Sequence, residues 1–488
     1  MDSEKVVVND APALEKKSPR SQNSTSSPDF STGETDFTTI SAAEDRRLTT
    51  KLDLKVIPIL GLLYLICFLD RTNIANARLA GLEKGLDMPK KGFNTALWIF
   101  YIPFVLAEVP SNIILALPYV KPNLWLGGMT FILGILSMCQ GLTHSYEGLL
   151  ALRFLMGIME ASLPAGAGLL IASYYRKKEL ALRFCLFLSL GLLGSCFSGL
   201  LAYALMDLDG KAGLEGWQWI FIVEGLATIV FSFIALVFVP HFPAKDSWLS
   251  ETDRSRLLAR LEADKGEAST INRPLIKVLF DPRIWSMTLL FFCADVSAGS
   301  LSSFNPTIVS QLGWTARRAQ VMTMPIWIVG IIGPVTSAFL AGRWNSRAVF
   351  LAPAIICSLV GWVIHYVQLS YGVRYMAQFL ISLGTFIQMS LYIGWLSANL
   401  RGPKELGVGT AIILGVGNCA NFVSSNIFIT TEAPRYPTGF SVGMALTALA
   451  LPVLGGVVLW FWMHNKKIRA RMAAGAVLDN QVDFIYVI

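Results

Sequence analysis

An all-α membrane protein, with 12 transmembrane helices in two six-helix bundles, is the fold class that this sequence predicts, and three observations carry the prediction. Of the 488 residues 54% are hydrophobic and only 15% charged, where soluble domains carry about a quarter charged residues. The apolar residues gather into about a dozen runs, each near the roughly 20 residues that a helix needs to cross a hydrocarbon core. The longest polar connection, 240–283, divides those runs six and six. The same composition, with a mean hydropathy of +0.54, excludes a soluble globular protein, a collagen and a disulfide scaffold.

Residues 1–45 are rich in Ser, Thr, Asp and Glu and hold too little apolar material to offset the entropy of ordering, so a disordered cytoplasmic tail is expected there. No cleavable leader is expected, because the first apolar run begins only near residue 54; that run is a retained span. Spans are expected near 54–76, 92–117, 122–141, 148–172, 181–206 and 217–239, which make an N-terminal bundle over 46–239. The connection 240–283 reads as a cytoplasmic linker. Within it Ser250-x-x-Asp253 starts a short amphipathic helix carrying Leu257, Leu258 and Leu261 at helical spacing. Spans follow near 284–309, 319–341, 348–367, 374–399, 406–430 and 438–463, a C-terminal bundle over 284–465, and then a cytoplasmic tail, 466–488. The 40 Lys and Arg residues concentrate on one side of these spans, at Arg46, Arg47, Lys51, Lys55, Arg176 to Lys178 and Lys466 to Arg471. The positive-inside rule then places both termini in the cytoplasm, most simply at the plasma membrane, and makes the net charge of +7 a mark of orientation rather than of nucleic-acid binding. The seven cysteines all fall within apolar runs and read as core residues without disulfides.

Once every charge is assigned to a side, two cations and five acids remain inside spans: Arg71 and Arg153, and Asp70, Glu108, Glu160, Glu224 and Asp295. A charge at the bilayer centre costs about 2.5 to 3.5 kcal/mol even on the lenient insertion scale, so each needs a partner, water or a function. In the fourth span Arg153, Gly157, Glu160 and Pro164 recur on one helical face. Arg153 and Glu160 are then two turns, roughly 10 Å, apart, with Gly157 expected to leave open space between them. Asp70 and Arg71 point about 100° apart on the first span, so that one can face the fourth span and the other the cavity. A buried guanidinium is a permanent cation with a fork suited to carboxylate, and a buried carboxylate can exchange a proton. Arg71 and Arg153 are therefore the candidate substrate-binding cations and Asp70 and Glu160 the candidate proton-coupling acids. The alternative is a structural Asp70–Arg153 pair that tethers the two spans. Glu108, Glu224, Asp295 and Arg343 are assigned to gating or structure. The second half offers amides instead, Asn305, Gln388, Asn418 and Asn421, either to read the uncharged part of a substrate or to hold helices together.

No phosphate-binding loop is present, and His144, His241, His365 and His464 lack metal-type spacing. No cofactor, no metal and no enzymatic activity are expected. The expected partners are a small organic anion, protons and the lipid bilayer, for a monomer driven by an ion gradient.

Five segments carry a family resemblance: Phe68-Leu69-Asp70-Arg71-Thr72-Asn73-Ile74-Ala75-Asn76-Ala77, Glu108-Val109-Pro110-Ser111-Asn112, Arg153-Phe154-Leu155-x-Gly157-x-x-Glu160-Ala161, the run Gly216 to Gly225, and Ala433-Pro434-Arg435-Tyr436. They resemble the fungal allantoate permease branch of the anion:cation symporters, within the major facilitator superfamily. Ala181-Leu182-Arg183-Phe184 and Gly372-Val373-Arg374-Tyr375 add a similarity to nicotinate permeases. The resemblance implies the major facilitator fold, two six-helix bundles built from inverted three-helix repeats around a central site exposed alternately to each side. It also implies that Asp70, Arg71, Arg153 and Glu160 carry proton coupling and anion binding, as the matching residues do in related bacterial sugar-acid symporters. The chain departs from the superfamily's loop signature: the connection between spans 2 and 3 has only Lys121, and Ala341-Gly342-Arg343 has Gly where an acid is usual.

The expectation is proton-coupled symport of a small organic monocarboxylate such as nicotinate, pantothenate or allantoate. The alternatives are a proton-driven exporter of an acidic secondary metabolite and a receptor that senses a nutrient without moving it.

Overall fold

A computed structural model describes residues 42–266, 274–344, 346–368, 370–400, 402–474 and 485–487. Twelve helices have the length and hydropathy to cross a membrane, and there is no β-strand among the described residues. We number them α1 (Ala42–Leu79), α2 (Gly92–Leu115), α3 (Pro122–Gly141), α4 (Tyr146–Tyr174), α5 (Lys177–Leu205), α6 (Gly216–Phe238), α7 (Pro282–Ser310), α8 (Ala316–Trp344), α9 (Ala348–Val367), α10 (Tyr371–Asn399), α11 (Gly402–Asn418 continued by Ala420–Ile427) and α12 (Pro437–Ala473). The side on which α1 begins and α12 ends is called the near side, the other the far side.

Several helices outrun their apolar cores. α1 starts at Ala42, within the segment expected as a tail; residues 1–41 lie outside the described ones. Ion pairs hold its first turns: Asp45 with Arg176 (2.5 Å), Asp53 with Arg183 (2.8 Å) and Lys51 with Asp253 (2.6 Å). Glu44 and Asp45 also sit where the positive end of the helix dipole favours acids. Hydropathy misses these turns because their stability comes from charge rather than burial.

Asp253, Arg254, Arg256 and Arg260 belong to a helix over Glu251–Gly266 that lies on the near side of the first bundle. Ser250 Oγ caps it by accepting from the Asp253 N–H at 3.2 Å. Leu257 is fully buried and Leu261 packs beside it on the first-bundle core, while Arg260 pairs with Asp45 (3.2 Å) and Glu179.

Burial sorts the membrane helices into layers. The apolar windows of α1, α4, α7 and α10 are 61, 61, 72 and 67% buried, against 39% for α6, α8 and α9 and 28% for α12. The first four are therefore central. On the outer helices Phe233, Ile332, Ile356 and Leu459 point outward, as lipid contact requires. Small residues set the closest approaches. At Gly194 of α5 a side-chain carbon would collide with the Leu65 carbonyl of α1, and at Gly199 one would lie 2.8 Å from the Gln320 carbonyl of α8.

Among the described residues, the buried core cluster built from both halves lies on the far side. There Phe93, Ala96 and Cys196 of the first half pack in one cluster with Phe304, Trp327 and Phe428 of the second. Asn94 donates to the Ser425 carbonyl (2.6 Å), Gln320 to the Asn76 carbonyl (3.2 Å), and Arg317 pairs with Asp207 (2.5 Å). Toward the near side each half has its own buried cluster, linked where Leu188 touches both and Phe422 of α11 packs on the first. The halves thus meet on the far side and part on the near side.

Gly194→Val should lower stability by about 1–3 kcal/mol or more, as overpacking between helices does; the unfolding midpoint of the purified protein in detergent measures it. The linker helix gives a second expectation. Its Lys51 hydrogen bond holds the Asp253 carboxyl below the usual aspartate range. A depressed value means that the contribution is complete above that range and is lost only as pH falls through it. Proteolysis of the linker should therefore be equal at pH 7 and pH 5, and faster at both in Arg260→Ala.

Candidate functional site

The centre is built where α1 and α4 cross. Arg71 donates to Glu160 Oε1 through Nη2 at 2.6 Å and Nε at 3.0 Å, and the Glu160 side chain is fully buried. The geometry has local causes. Pro164 has no N–H to give the Glu160 carbonyl, and α4 is interrupted at Ala161, one residue past the acid. Gly157 is not the open space expected of it: the Phe100 carbonyl and Pro103 of α2 occupy the place of its missing side chain, so the glycine lets α2 close on α4. The rings of Phe68, Phe100 and Phe104 stand 5.3, 5.8 and 5.0 Å from the Arg71 guanidinium and shield the pair. Tyr64, Tyr101 and Asp295 complete its electrostatic surroundings.

Asp70 turns the other way, into the first bundle. Its oxygens accept from Ser137 of α3 (3.0 Å) and Thr228 of α6 (3.0 Å), with the Asn73 amide at 3.5 Å. It is bonded to hydroxyls, not to Arg153. Arg153 is itself buried, with Phe221 at 5.9 Å, and Nε and Nη2 have no hydrogen-bond partner among the described residues. Glu224, one turn before Thr228, is fully buried beside Asp70 and Asn73. The first half therefore holds two polar layers: Arg71 with Glu160 at the centre, and Asp70, Arg153 and Glu224 within the bundle.

The remaining predicted residues divide between the centre and elsewhere. Glu108 of α2 lies against Asn418 of α11, across the two halves. Asp295 of α7 accepts from Asn421 Nδ2 at 3.0 Å. These four sit around the central pair. Gln388 faces α9, donating to Ser358 (3.0 Å), and Asn305 is fully buried, without a partner among the described residues. Arg343 is exposed at the near end of α8; it is Arg347 that reaches the Gly394 carbonyl of α10.

Sequence reasoning missed the hydroxyls that receive Asp70, since a Ser and a Thr in apolar helices give no signal alone. It also missed the chain Asn73, Ser198, Asn76 and Gln320, in which Ser198 bridges the two asparagines (3.1 and 2.6 Å) and Gln320 carries the link into the second half. The Asn73-x-x-Asn76 spacing was its visible trace.

Twelve spans in two bundles around a buried, charged centre define a membrane transport protein. The chain belongs to the Major Facilitator Superfamily, whose family model matches residues 60–425. It is 33% identical over 476 residues to an uncharacterized transporter of Schizosaccharomyces pombe, covering 95% of this chain and 94% of the relative. It is 26% identical to the high-affinity nicotinic acid transporter of Saccharomyces cerevisiae, over 87% of this chain and 80% of that one. Among solved structures the proton:xylose symporter XylE, bound to 6-bromo-6-deoxy-D-glucose, superposes with a TM-score of 0.65 at 15% identity, covering 85% of this chain and 96% of the other.

Removing the hydroxyls tests the inner layer. The double variant Ser137→Ala with Thr228→Val strips Asp70 of two donors, a loss of about 1–3 kcal/mol each for a buried carboxylate. A lower unfolding midpoint is expected, and Asp70→Asn in that background should restore part of it.

Proposed function

We propose that the protein is a proton-coupled symporter of a small organic monocarboxylate. The observation that carries this reading is the Arg71–Glu160 pair. One guanidinium at the centre is held by one buried carboxylate, and an incoming carboxylate has the same chemistry as Glu160. When the substrate anion takes the fork of Arg71, Glu160 is left without its cation, and an unpaired ionised carboxylate in that setting is costly. Proton uptake on Glu160 removes the cost. Substrate and proton therefore enter together because they compete for opposite members of one pair. Arg153, with donors to spare, offers a second cation, and Glu108, Asp295, Asn418 and Asn421 line the rest of the centre. The nicotinic acid transporter among the relatives is consistent with a small aromatic monocarboxylate.

The near side is the cytoplasm in this reading, on the positive-inside argument, and the arrangement described is the one open inward. A carrier closes readily when both or neither of its ligands are bound, because a half-loaded centre holds an unpaired charge.

Glu160→Gln should keep exchange of labelled nicotinate across the membrane and lose its accumulation at external pH 5. Wild-type accumulation in that variant would remove Glu160 from the coupling step. Arg71→Ala should lose both, and uptake by the wild type should rise as external pH falls from 7 to 5.

A further inference from the structure

Residues 485–487 lie on the near side of the second bundle and are held there by five hydrogen bonds with three side chains. Asn465 of α12 accepts from the Tyr486 N–H (2.8 Å) and donates to the Tyr486 carbonyl (2.8 Å). Asn399 of α10 does the same for Val487, at 2.9 and 3.1 Å, and Trp395 Nε1 adds a bond to the Val487 carbonyl at 2.7 Å. The Tyr486 ring stacks on Phe461, centroids 4.5 Å apart, with His464 at 4.8 Å and the guanidinium of Arg283, at the start of α7, 5.7 Å away. Trp395, Asn399, Phe461 and Asn465 are all buried.

Two amide side chains that each grip both polar groups of one residue's backbone, beside a stacking platform for a ring, form a peptide-recognition site. It reads main chain and one aromatic, as edge-type peptide sites do. Membrane packing does not call for it: α7, α10 and α12 already share an apolar cluster, with Tyr486 at its margin. The site joins the near-side ends of α7, α10 and α12. Through Arg283, 3.7 Å from Glu405, it extends to the start of α11.

We propose that this is a docking site for the chain's own C-terminal segment, and that the docked segment braces the near-side ends of the second bundle in the open arrangement. Two of the joined helices, α7 and α10, are central, and their near-side ends must move toward the first bundle for that side to close. A segment whose contacts fit the open arrangement shifts the population toward it by its differential affinity. The first bundle is built alike: the segment after its last helix returns to cover the starts of α1 and α5 through Arg260 and Leu257.

The proposal rests on alternating access and not on the cargo, so its test needs no substrate. Cys196, in the far-side shared core, is a native reporter of far-side opening. In purified full-length protein, maleimide labelling of Cys196 read by peptide mass spectrometry should be at least about threefold faster in Tyr486→Ala and in Asn465→Asp, which replaces the donor facing the Tyr486 carbonyl with an acceptor. Tyr486→Phe should label as the wild type does, since the ring is retained. Hydrogen exchange in the wild type should show slow amides at Tyr486 and Val487. Exchange there at the rate of a free peptide would overturn the docking, and unchanged Cys196 labelling in both disruptive variants would overturn the brace.

Discussion

A charge inside a membrane is costly unless it finds a partner, water or a function, and in this protein Arg71 and Glu160 partner each other. Much of the first bundle is arranged around them. Pro164 interrupts α4 at the acid, Gly157 lets α2 press its aromatic residues toward the guanidinium, and three rings stand around that guanidinium. The pair ties α1 to α4, two of the four most buried helices, so the same interaction fixes the fold and sets the chemistry of the centre. Whatever separates it must supply a replacement partner for each member.

Asp70 and Arg71 show how adjacent residues serve separate surroundings. A rotation of about 100° sends one into the bundle, onto Ser137 and Thr228, and the other toward the centre. Asp70 and Arg153 do not form the pair that their depth allows, because α3 and α6 bring hydroxyls closer to Asp70 than α4 brings its guanidinium. The inner layer is thereby set apart from the aromatic shell around Arg71.

The twelve spans were legible because hydropathy is a long, redundant signal, and so were the seven charges left inside them, because each is an exception to it. Helical phase singled out Arg153, Gly157, Glu160 and Pro164, yet Gly157 was misread. A small residue leaves room, and only the neighbouring helix shows what fills it. The first turns of α1 were lost to a charge-rich stretch, where stability comes from Asp45, Lys51 and Asp53 pairing with residues about 130 to 210 positions later in the chain. The docking of residues 485–487 was likewise hidden, since Asn399, Asn465 and Tyr486 come together only because α10 and α12 both pack on α7 and α9.

The uneven division of charge between the halves has an electrical consequence. Of the seven charges assigned to spans, six lie in the first bundle, and Asp295 is the exception. A movement of the second bundle past the first therefore carries almost no fixed charge across the bilayer. The membrane potential, which acts on each elementary charge displaced along the field at about 2.3 kcal/mol per 100 mV, then has little hold on the protein's own rearrangement. It acts on whatever charge the cargo carries, so any current would report the net charge moved in each cycle.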